Sequence, residues 1–389
     1  MTTLYTFPKI FIIDTYKIIM NKLITFFKKE TVLCIAALLS LLSAFFVPPS
    51  AEYLEYMDWR VLALLFCLML VVAGLQSIGL FKFLGFMLLA RIRTTRQLCL
   101  LLVGLCFFSA MLITNDVALI TFVPFAIMIL DMAGQSGLLI PVVVLQTIAA
   151  NLGSMLTPIG NPQNLYLYSA FSIPMGTFLL EMLPLTLLSL AMLVVSVFLL
   201  PKSEITVTAP EKPSSPPKGR LVFYLLLFLT ALSCVVRLLP WPAMLAILIL
   251  AVLCGDRERF RSVDYFLLLT FVCFFLFIGN MERIPAVSSL LQSLIQGREL
   301  LLGILLSQCI SNVPAAILLS GFTDAVKPLL YGVNIGGLGT LIASLASVIS
   351  YRAYGDSKGA AKGAYMKTFT LYNLIFLIIL AVAATMLLL

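Results

Sequence analysis

The apolar sequence is broken at residues 151–164 by the segment NLGSMLTPIGNPQN. Two glycines and two prolines within this segment cannot continue a regular helix, although apolar residues lie on both sides of it. Irregular backbone at membrane depth is tolerated only where protein or a water-filled cavity covers it. The segment therefore predicts a broken helix over residues 137–170 that lines an internal site.

Three further polar interruptions accompany this one. The apolar run 97–131 is interrupted at residues 113–116 (ITND), which leaves flanks of roughly 15 residues where a bilayer requires about 20. Two short apolar helices that meet at a polar tip describe a re-entrant hairpin. Residues 298–331 repeat the pattern around SNVP (311–314), and the glycine- and serine-rich residues 334–350 predict a second broken helix.

The composition places the chain among membrane proteins. Of its 389 residues, 62% are hydrophobic and 11% are charged, whereas a soluble domain is nearer half apolar and a quarter charged. Such a chain cannot bury its apolar surface in one water-facing globule, so the lipid bilayer must be its solvent. The basic residues, which give a net charge of +8, lie between apolar runs, so a nucleic-acid partner is not expected.

Residue types that many enzymes need are missing from the sequence. The chain has no histidine, which excludes a His-ligated zinc, a Ser-His-Asp triad and a histidine proton relay. Its eight cysteines lie within or beside apolar runs without a CxxC pair, which is typical of small buried hydrophobes rather than disulfides or metal ligands. We expect neither an enzyme nor a cofactor, and no metal beyond Na⁺.

The charges of the connecting segments predict a topology, because Lys and Arg are enriched on the cytoplasmic side. Residues 1–30 carry five lysines and suit an amphipathic helix on the inner membrane surface, with a cleaved signal peptide as the alternative. The proline-rich linker 201–219 is cytoplasmic by charge and separates a first repeat (31–200) from a second (220–389). About nine spanning helices and two hairpins result, in the plasma (inner) membrane with a cytoplasmic N-terminus.

The two halves of the chain match each other in order at their polar interruptions. Asp58 falls on Asp264, Asn115 on Asn312 (both at the tips), and Asn151 on Asn334. Chance matching of common membrane residues is the alternative explanation. The loop charges make residues 60–80 run inward and 264–281 run outward, so the halves are predicted to be inverted in the membrane, as in many secondary transporters.

Helices that start in mid-membrane expose backbone N–H groups and the positive ends of their dipoles. Asn115 and Asn312 are expected to cap the helices after them, and Asn161, followed by proline, gives the same signal. Three such N-termini form an anion-binding arrangement, while carbonyls at Ile113, Ile310 and Gly153 offer cation-binding ends. The alternative is that the polar tips only satisfy their own backbone.

The candidate site follows from these interruptions. Solute binding is predicted for Thr114, Asn115, Asn161, Asn164, Ser311, Asn312 and Thr340, and ion coupling for Asp116, Asn151, Gly153, Ser154, Thr157, Asn334 and Gly336. A carboxylate in an apolar hairpin is costly and functional by default, so Asp116 can carry a proton or stay charged beside Na⁺. The alternative is a carboxylate that only stabilises its helix start. Val313 stands at the matching place, so coupling through Asp116 is asymmetric.

Residues 113–124, 151–164, 311–317 and 334–351 resemble motifs of the ion transporter superfamily. This superfamily includes citrate-transporter-like permeases, divalent anion/Na⁺ symporters, arsenite-efflux permeases and NhaD-type Na⁺/H⁺ antiporters. The resemblance implies a scaffold part, usually dimeric, and a mobile transport part that bears both hairpins and moves like an elevator. It also implies that paired Ser-Asn-Thr tips bind carboxylate and Na⁺.

Both tips of this chain keep the asparagine but depart from that pattern at the third position, where Asp116 and Val313 stand. An Asn-Asp tip resembles the arsenite-permease branch, in which neutral or anionic oxo-species leave in exchange for protons.

The sequence therefore predicts an all-α polytopic membrane protein that forms a homodimer in the lipid bilayer. Its predicted function is secondary transport of a small inorganic or organic anion, citrate- or dicarboxylate-like or an oxyanion such as arsenite, coupled to H⁺ or Na⁺. A Na⁺/H⁺ antiporter on the same scaffold, with Asp116 as the exchange site, is the alternative. An intramembrane enzyme or a passive channel ranks third.

Overall fold

The computed structural model describes residues 20, 30–89, 92–205 and 214–389, and within these ranges the chain is helical, with no strand. The predicted interfacial segment at 1–30 lies almost wholly outside the described residues, as does the middle of the predicted linker. Eight described helices are long and apolar enough to cross a membrane, or nine if one bent pair is a single span. The protein is therefore an all-helical polytopic membrane protein.

The described helices are numbered here in chain order. They are α1 (Thr31–Ala44), α2 (Trp59–Ser77), α3 (Leu80–Leu89), α4 (Thr95–Ile113), α5 (Asn115–Met132), α6 (Leu139–Ser154), α7 (Pro162–Ala170), α8 (Met175–Phe198), α9 (Lys218–Val235), α10 (Trp241–Gly255), α11 (Tyr265–Glu282), α12 (Pro285–Ile295), α13 (Glu299–Ile310), α14 (Asn312–Ser320), α15 (Val326–Ile335), α16 (Leu345–Gly355) and α17 (Lys362–Leu388).

The chain forms two compact units. The smaller unit contains the residues up to Met57 and Tyr265–Ile284, so α1 packs against α11 within it. Asn280 of α11 is fully buried there and donates from Nδ2 to the hydroxyls of Ser43 and Tyr53, both at 2.9 Å. The hydrogen bond between Asn280 and Ser43 thus fixes the orientation of α11 relative to α1.

The larger unit contains Asp58–Asp264 and Pro285–Leu389, and α6 is its central helix. Every residue of α6 from Val142 to Ser154 is buried, the polar ones included, because α6 packs against α4, α5, α8, α16 and α17. The fully buried Gln146 donates from Nε2 to the carbonyls of Leu102 at 3.1 Å and Phe122 at 3.2 Å. One carboxamide therefore ties α4 and α5 to α6.

The first hairpin differs from its prediction in the length of its arms. Its helices α4 and α5 have 19 and 18 residues, more than the roughly 15 expected from the sequence, and each is long enough to cross a membrane, so the expectation of arms too short to span is wrong. The extra length of α4 comes from a capping box, in which Thr94 accepts from Gln97 N and Gln97 Oε1 accepts from Thr94 N. Helix α5 continues through Pro124.

Two other predicted segments need correction. The predicted second hairpin at 298–331 includes the first residues of a different helix, because α15 already begins at Val326. The hairpin itself has short arms of 12 and 9 residues, and α13 follows α12 at a bend of 107°. The second broken helix, predicted at residues 334–350, extends further at both ends, because α15 begins at Val326 and α16 ends at Gly355.

The end of α8 is held against the start of α4 by a clasp of hydrogen bonds between residues 93–96 and 200–205. Thr95 N donates to Ser203 O at 3.0 Å, and Ile205 N donates to Arg93 O at 3.0 Å. Thr95 Oγ1 donates to Pro201 O at 2.8 Å. The chain after α8 therefore stays bonded to the base of the first hairpin as far as Ile205.

Candidate functional site at the helix breaks

Each hairpin tip reverses the chain over a single residue. Thr114 separates α4 from α5 and Ser311 separates α13 from α14, and both residues have a φ of 75° with ψ near 150°. This region of backbone space costs a residue other than glycine about 1–3 kcal/mol, and such strain clusters at functional sites. The same strained turn occurs at the matching position of each half.

The expectation that Asn115 and Asn312 are N-caps is wrong. The strained Thr114 and Ser311 occupy the cap positions, so each asparagine is already the first helical residue. The Asn115 side chain accepts from Asp116 N at 3.0 Å and donates to Asn151 Oδ1 at 3.0 Å. Its carboxamide therefore joins the tip to the end of α6 instead of only closing its own helix.

The two helix breaks face the tips. The first lies between α6 and α7, where the prediction that Asn161 caps the next helix is confirmed, since its Oδ1 accepts from Asn164 N at 2.9 Å. The second lies between α15 and α16, with Ser344 at the cap position of α16. The backbones of α6 and α4 approach so closely that position 153, at the end of α6, requires glycine. A Cβ there would lie 2.1 Å from the Phe107 carbonyl oxygen of α4.

Tip and break are joined by the same pair of bonds in each half. Asn115 N donates to Gly160 O at 3.1 Å, and Asn312 N donates to Ala343 O at 3.0 Å. Likewise, the Thr157 hydroxyl donates to Met111 O, and the Thr340 hydroxyl donates to Gln308 O at 3.2 Å. Corresponding tip residues are 197 positions apart and corresponding break residues are 183 apart, the separations at which the two halves match in sequence.

The breaks also bond to each other reciprocally. Asn161 Nδ2 donates to Asn334 Oδ1 at 3.2 Å, and the Ser344 hydroxyl donates to Asn151 Oδ1 at 2.9 Å. Asn161 and Ser344 are equivalent positions, as are Asn151 and Asn334, so each half offers the same two positions to the other.

Burial divides the fourteen predicted site residues into two groups. The ten buried ones are Asn115, Asn151, Gly153, Ser154, Asn161, Asn164, Ser311, Asn312, Asn334 and Gly336. The other four are Thr114, Asp116 and Thr157, which are half-buried, and Thr340, which is exposed. The buried asparagines hydrogen-bond one another and the backbone, so they hold the site, while the four accessible side chains can meet a solute or an ion.

The backbone donors at the tips are partly occupied. The first N–H groups of α5 and α14 donate to the break carbonyls, and Asp116 N donates to the Asn115 side chain. What each tip offers a solute is therefore a helix dipole and nearby hydroxyl groups more than free N–H groups.

Sequence reasoning missed Gln308 as a site residue. Its Nε2 donates to the carbonyls of Gly336 and Leu338, both at 2.9 Å, and its Oε1 accepts from Thr340 N at 2.9 Å. Gly339, with a φ of +104°, lies so close that a Cβ would approach Gln308 Oε1 to 2.3 Å. The sequence feature that could have identified Gln308 was a carboxamide within the largely apolar end of α13.

The chain is similar to a family of transporters and to several known proteins. The profile of a family described as citrate transporter matches residues 17–329. The uncharacterized transporter MJ0456 of Methanocaldococcus jannaschii is 35% identical over 307 residues, 77% of this chain and 82% of that protein. The inner membrane protein YbiR of Escherichia coli K12 is 33% identical over 328 residues, 81% of this chain and 85% of its own. The silicon efflux transporter LSI3 of Oryza sativa subsp. japonica is 32% identical over 145 residues, 37% of this chain and 29% of that protein.

Proposed function

Because the chain belongs to the citrate transporter family, we propose that this membrane transporter carries a small, weakly charged oxyacid or carboxylate by secondary active transport coupled to H⁺ or Na⁺. The observation that carries the proposal is the matched bonding of two strained tips to two helix breaks. It brings dipole ends and hydroxyl groups of both halves to one place.

The chemistry of the four accessible side chains favours a solute of low charge. The Thr114 hydroxyl can donate to an oxyacid and accept from it, while the hydroxyls of Thr157 and Thr340, which donate to Met111 O and Gln308 O, can still accept from it. Asp116 would repel a multiply charged anion, and no lysine or arginine lies within the tip or break segments to neutralise one. An oxyacid such as arsenite fits better than citrate, and silicon, for which LSI3 is named, also forms a small weak oxyacid in water.

The proposed architecture is an inverted repeat with elevator-type movement of the part that bears both hairpins. The reciprocal contacts between the breaks and the constant separations of 197 and 183 support a two-fold relation. A plasma (inner) membrane location with a cytoplasmic N-terminus is supported by the loop charges and by the name of YbiR. A homodimer is proposed from the family resemblance.

Counterflow in proteoliposomes tests the function. Vesicles preloaded with unlabelled arsenite are expected to accumulate labelled arsenite transiently and saturably, with citrate and silicic acid as competitors. Separate pH and Na⁺ gradients then identify the coupling ion. Flux that rises linearly with concentration, or no exchange of any of the three solutes, would contradict the proposal.

A Na⁺/H⁺ antiporter remains the second candidate because Asp116 provides an accessible carboxylate at the first tip. An antiporter would move H⁺ in response to a Na⁺ gradient with no anion present. An anion transporter would need arsenite or another solute for the same proton movement, so the two functions separate in one assay.

A further inference from the structure

A second buried polar region lies behind the first helix break, between α6, α16 and α17. Asn151 Nδ2 and Ser347 Oγ have no hydrogen-bond partner among the described residues, and Tyr365 OH has none with hydrogen-bond geometry, although the Thr147 hydroxyl lies beside it. Asn151, Ser347 and Tyr365 are 3%, 0% and 0% exposed. A buried polar group left unpaired costs about 1–3 kcal/mol, so three in one region need an explanation.

The three groups follow one another along the helices. Helix α6 packs against both α16 and α17. Asn151 is joined to Ser344 of α16, and Ser347 lies one turn further along that helix. Tyr365 lies beside Thr147, which is one turn before Asn151 on α6. The three groups therefore form a row that leads away from the first break.

The row continues to the connection between α16 and α17. The ring of Tyr365 stacks on that of Tyr354, with centroids 4.8 Å apart. Tyr354 is itself buried, and its hydroxyl accepts from Ala361 N at 2.9 Å, where the chain is exposed. At the other end, Asn151 accepts from Asn115, the residue before Asp116. A line of polar groups thus runs from the exposed connection to the first hairpin tip.

Water fits this row better than a metal cation does. The Oδ1 of Asn151 is already taken by Asn115 and Ser344, so only its N–H donor is free, and an N–H donor needs an oxygen acceptor and repels a cation. Buried waters typically make about three hydrogen bonds to such otherwise unsatisfied groups. Helices α6, α16 and α17 also carry no carboxylate that could hold Na⁺.

We propose that Asn151, Ser347 and Tyr365 hold a file of ordered water molecules that carries the coupling proton between the α16–α17 connection and the first hairpin tip. This inference rests on the proposed function in its proton-coupled form. The titratable and charged groups on the elements packed around the file are Tyr351, Arg352 and Tyr354 on α16, Asp356 and Lys358 in the α16–α17 connection, Lys362, Lys367 and Tyr372 on α17, Asp116 and Asp131 on α5, Glu181 on α8, Arg96, Cys99 and Cys106 on α4, and Lys327 and Tyr331 on α15.

The test removes single hydroxyl groups and measures proton movement separately from solute exchange. Tyr365→Phe keeps the stacked ring and Ser347→Ala removes one oxygen, while Tyr372→Phe makes the same tyrosine change on α17 at a half-buried position outside the file. Each variant is reconstituted and assayed for arsenite counterflow at equal pH. An enclosed pH-sensitive dye then reports proton movement driven by an arsenite gradient.

We expect Tyr365→Phe and Ser347→Ala to keep counterflow and to slow proton movement about tenfold or more, with Tyr372→Phe behaving as the unchanged protein. The inference is overturned if Tyr365→Phe and Ser347→Ala move protons at the unchanged rate, or if both lose counterflow in parallel with proton movement. Counterflow coupled to Na⁺ without proton movement would overturn the water file but leave the transport function intact. Absence of counterflow in the unchanged protein would refute the transport function and the file with it.

Discussion

The two hairpin tips share a backbone but differ in chemistry. Thr114 and Ser311 adopt the same strained turn, and the next asparagine in each tip donates its N–H to the facing break. The first tip then carries Asp116 on long helical arms, whereas the second carries Val313 on short arms braced by Gln308. The two halves therefore share a backbone geometry. Single differences in sequence give the first tip a carboxylate and the second tip a carboxamide that holds it rigid.

The largest effect is expected at the third position of the first tip. Asp116→Asn keeps the size of the side chain and removes its charge, so the protein should fold normally while coupled arsenite uptake falls by about a hundredfold or more. Uptake in proteoliposomes measures this effect. Val313→Thr, at the matching position of the second tip, is the control and should retain uptake. Unchanged uptake by Asp116→Asn would remove Asp116 from the mechanism.

The next effect concerns the close approach of α6 to α4. Gly153→Ala places a methyl group 2.1 Å from a backbone carbonyl oxygen that cannot rotate away, so we expect a loss of about 3 kcal/mol in unfolding free energy. At the equivalent Gly336 the contacts of a Cβ are longer, 2.6 Å to the Ser307 hydroxyl oxygen and 2.8 Å to the Gly303 carbonyl oxygen, so alanine there should cost less.

Thermal unfolding in detergent compares these two variants with Gly137→Ala, where a Cβ meets nothing within 4 Å. Equal melting temperatures for the Gly153 and Gly137 variants would show that α6 and α4 can move apart to accommodate the methyl group without loss of stability.

A smaller effect is expected from the brace of the second tip. Gln308→Leu removes the bonds to three carbonyls and to Thr340 N, which should cost about 2 kcal/mol and weaken solute binding. Met111→Leu changes the matching residue of the first half and should be silent, because Met111 contributes a backbone carbonyl to its break. Thermal shift with and without arsenite measures both quantities. If Gln308→Leu changed neither the melting temperature nor the shift caused by arsenite, the side chain of Gln308 would not stabilise the second tip.

The smallest effect distinguishes the two reciprocal contacts. Double-mutant cycles on Asn151 with Ser344, and on Asn161 with Asn334, should each give a coupling energy of about 1 kcal/mol if the halves contribute equally. Alanine substitutions and chemical unfolding provide the data. A coupling energy near zero in one pair alone would mean that the break contacts are not energetically symmetric.

Much of the fold could be predicted because its helix breaks contain residue types that interrupt helices. The prolines and glycines near residue 160 predicted the first broken helix, and Asn161 was identified correctly as a cap. The positions of both tips were also visible, because polar residues there stand within apolar sequence.

Other features depended on tertiary contacts that local sequence does not encode. That Asn115 is a helical residue follows from the strained Thr114, and a positive φ at threonine has no signal in the sequence. The longer arms of the first hairpin depended on a capping box and on a proline that α5 accommodates. Gln308 became recognisable only when its partners, 28 to 32 residues further along the chain, were placed beside it.

The clasp between residues 93–96 and 200–205 has a consequence for how the polypeptide can be divided. Because the end of α8 is bonded to the base of the first hairpin as far as Ile205, a cut made after Ile205 and before Lys218 removes none of the hydrogen bonds described for the tips and breaks. Two separately expressed pieces should therefore reassemble into a working carrier.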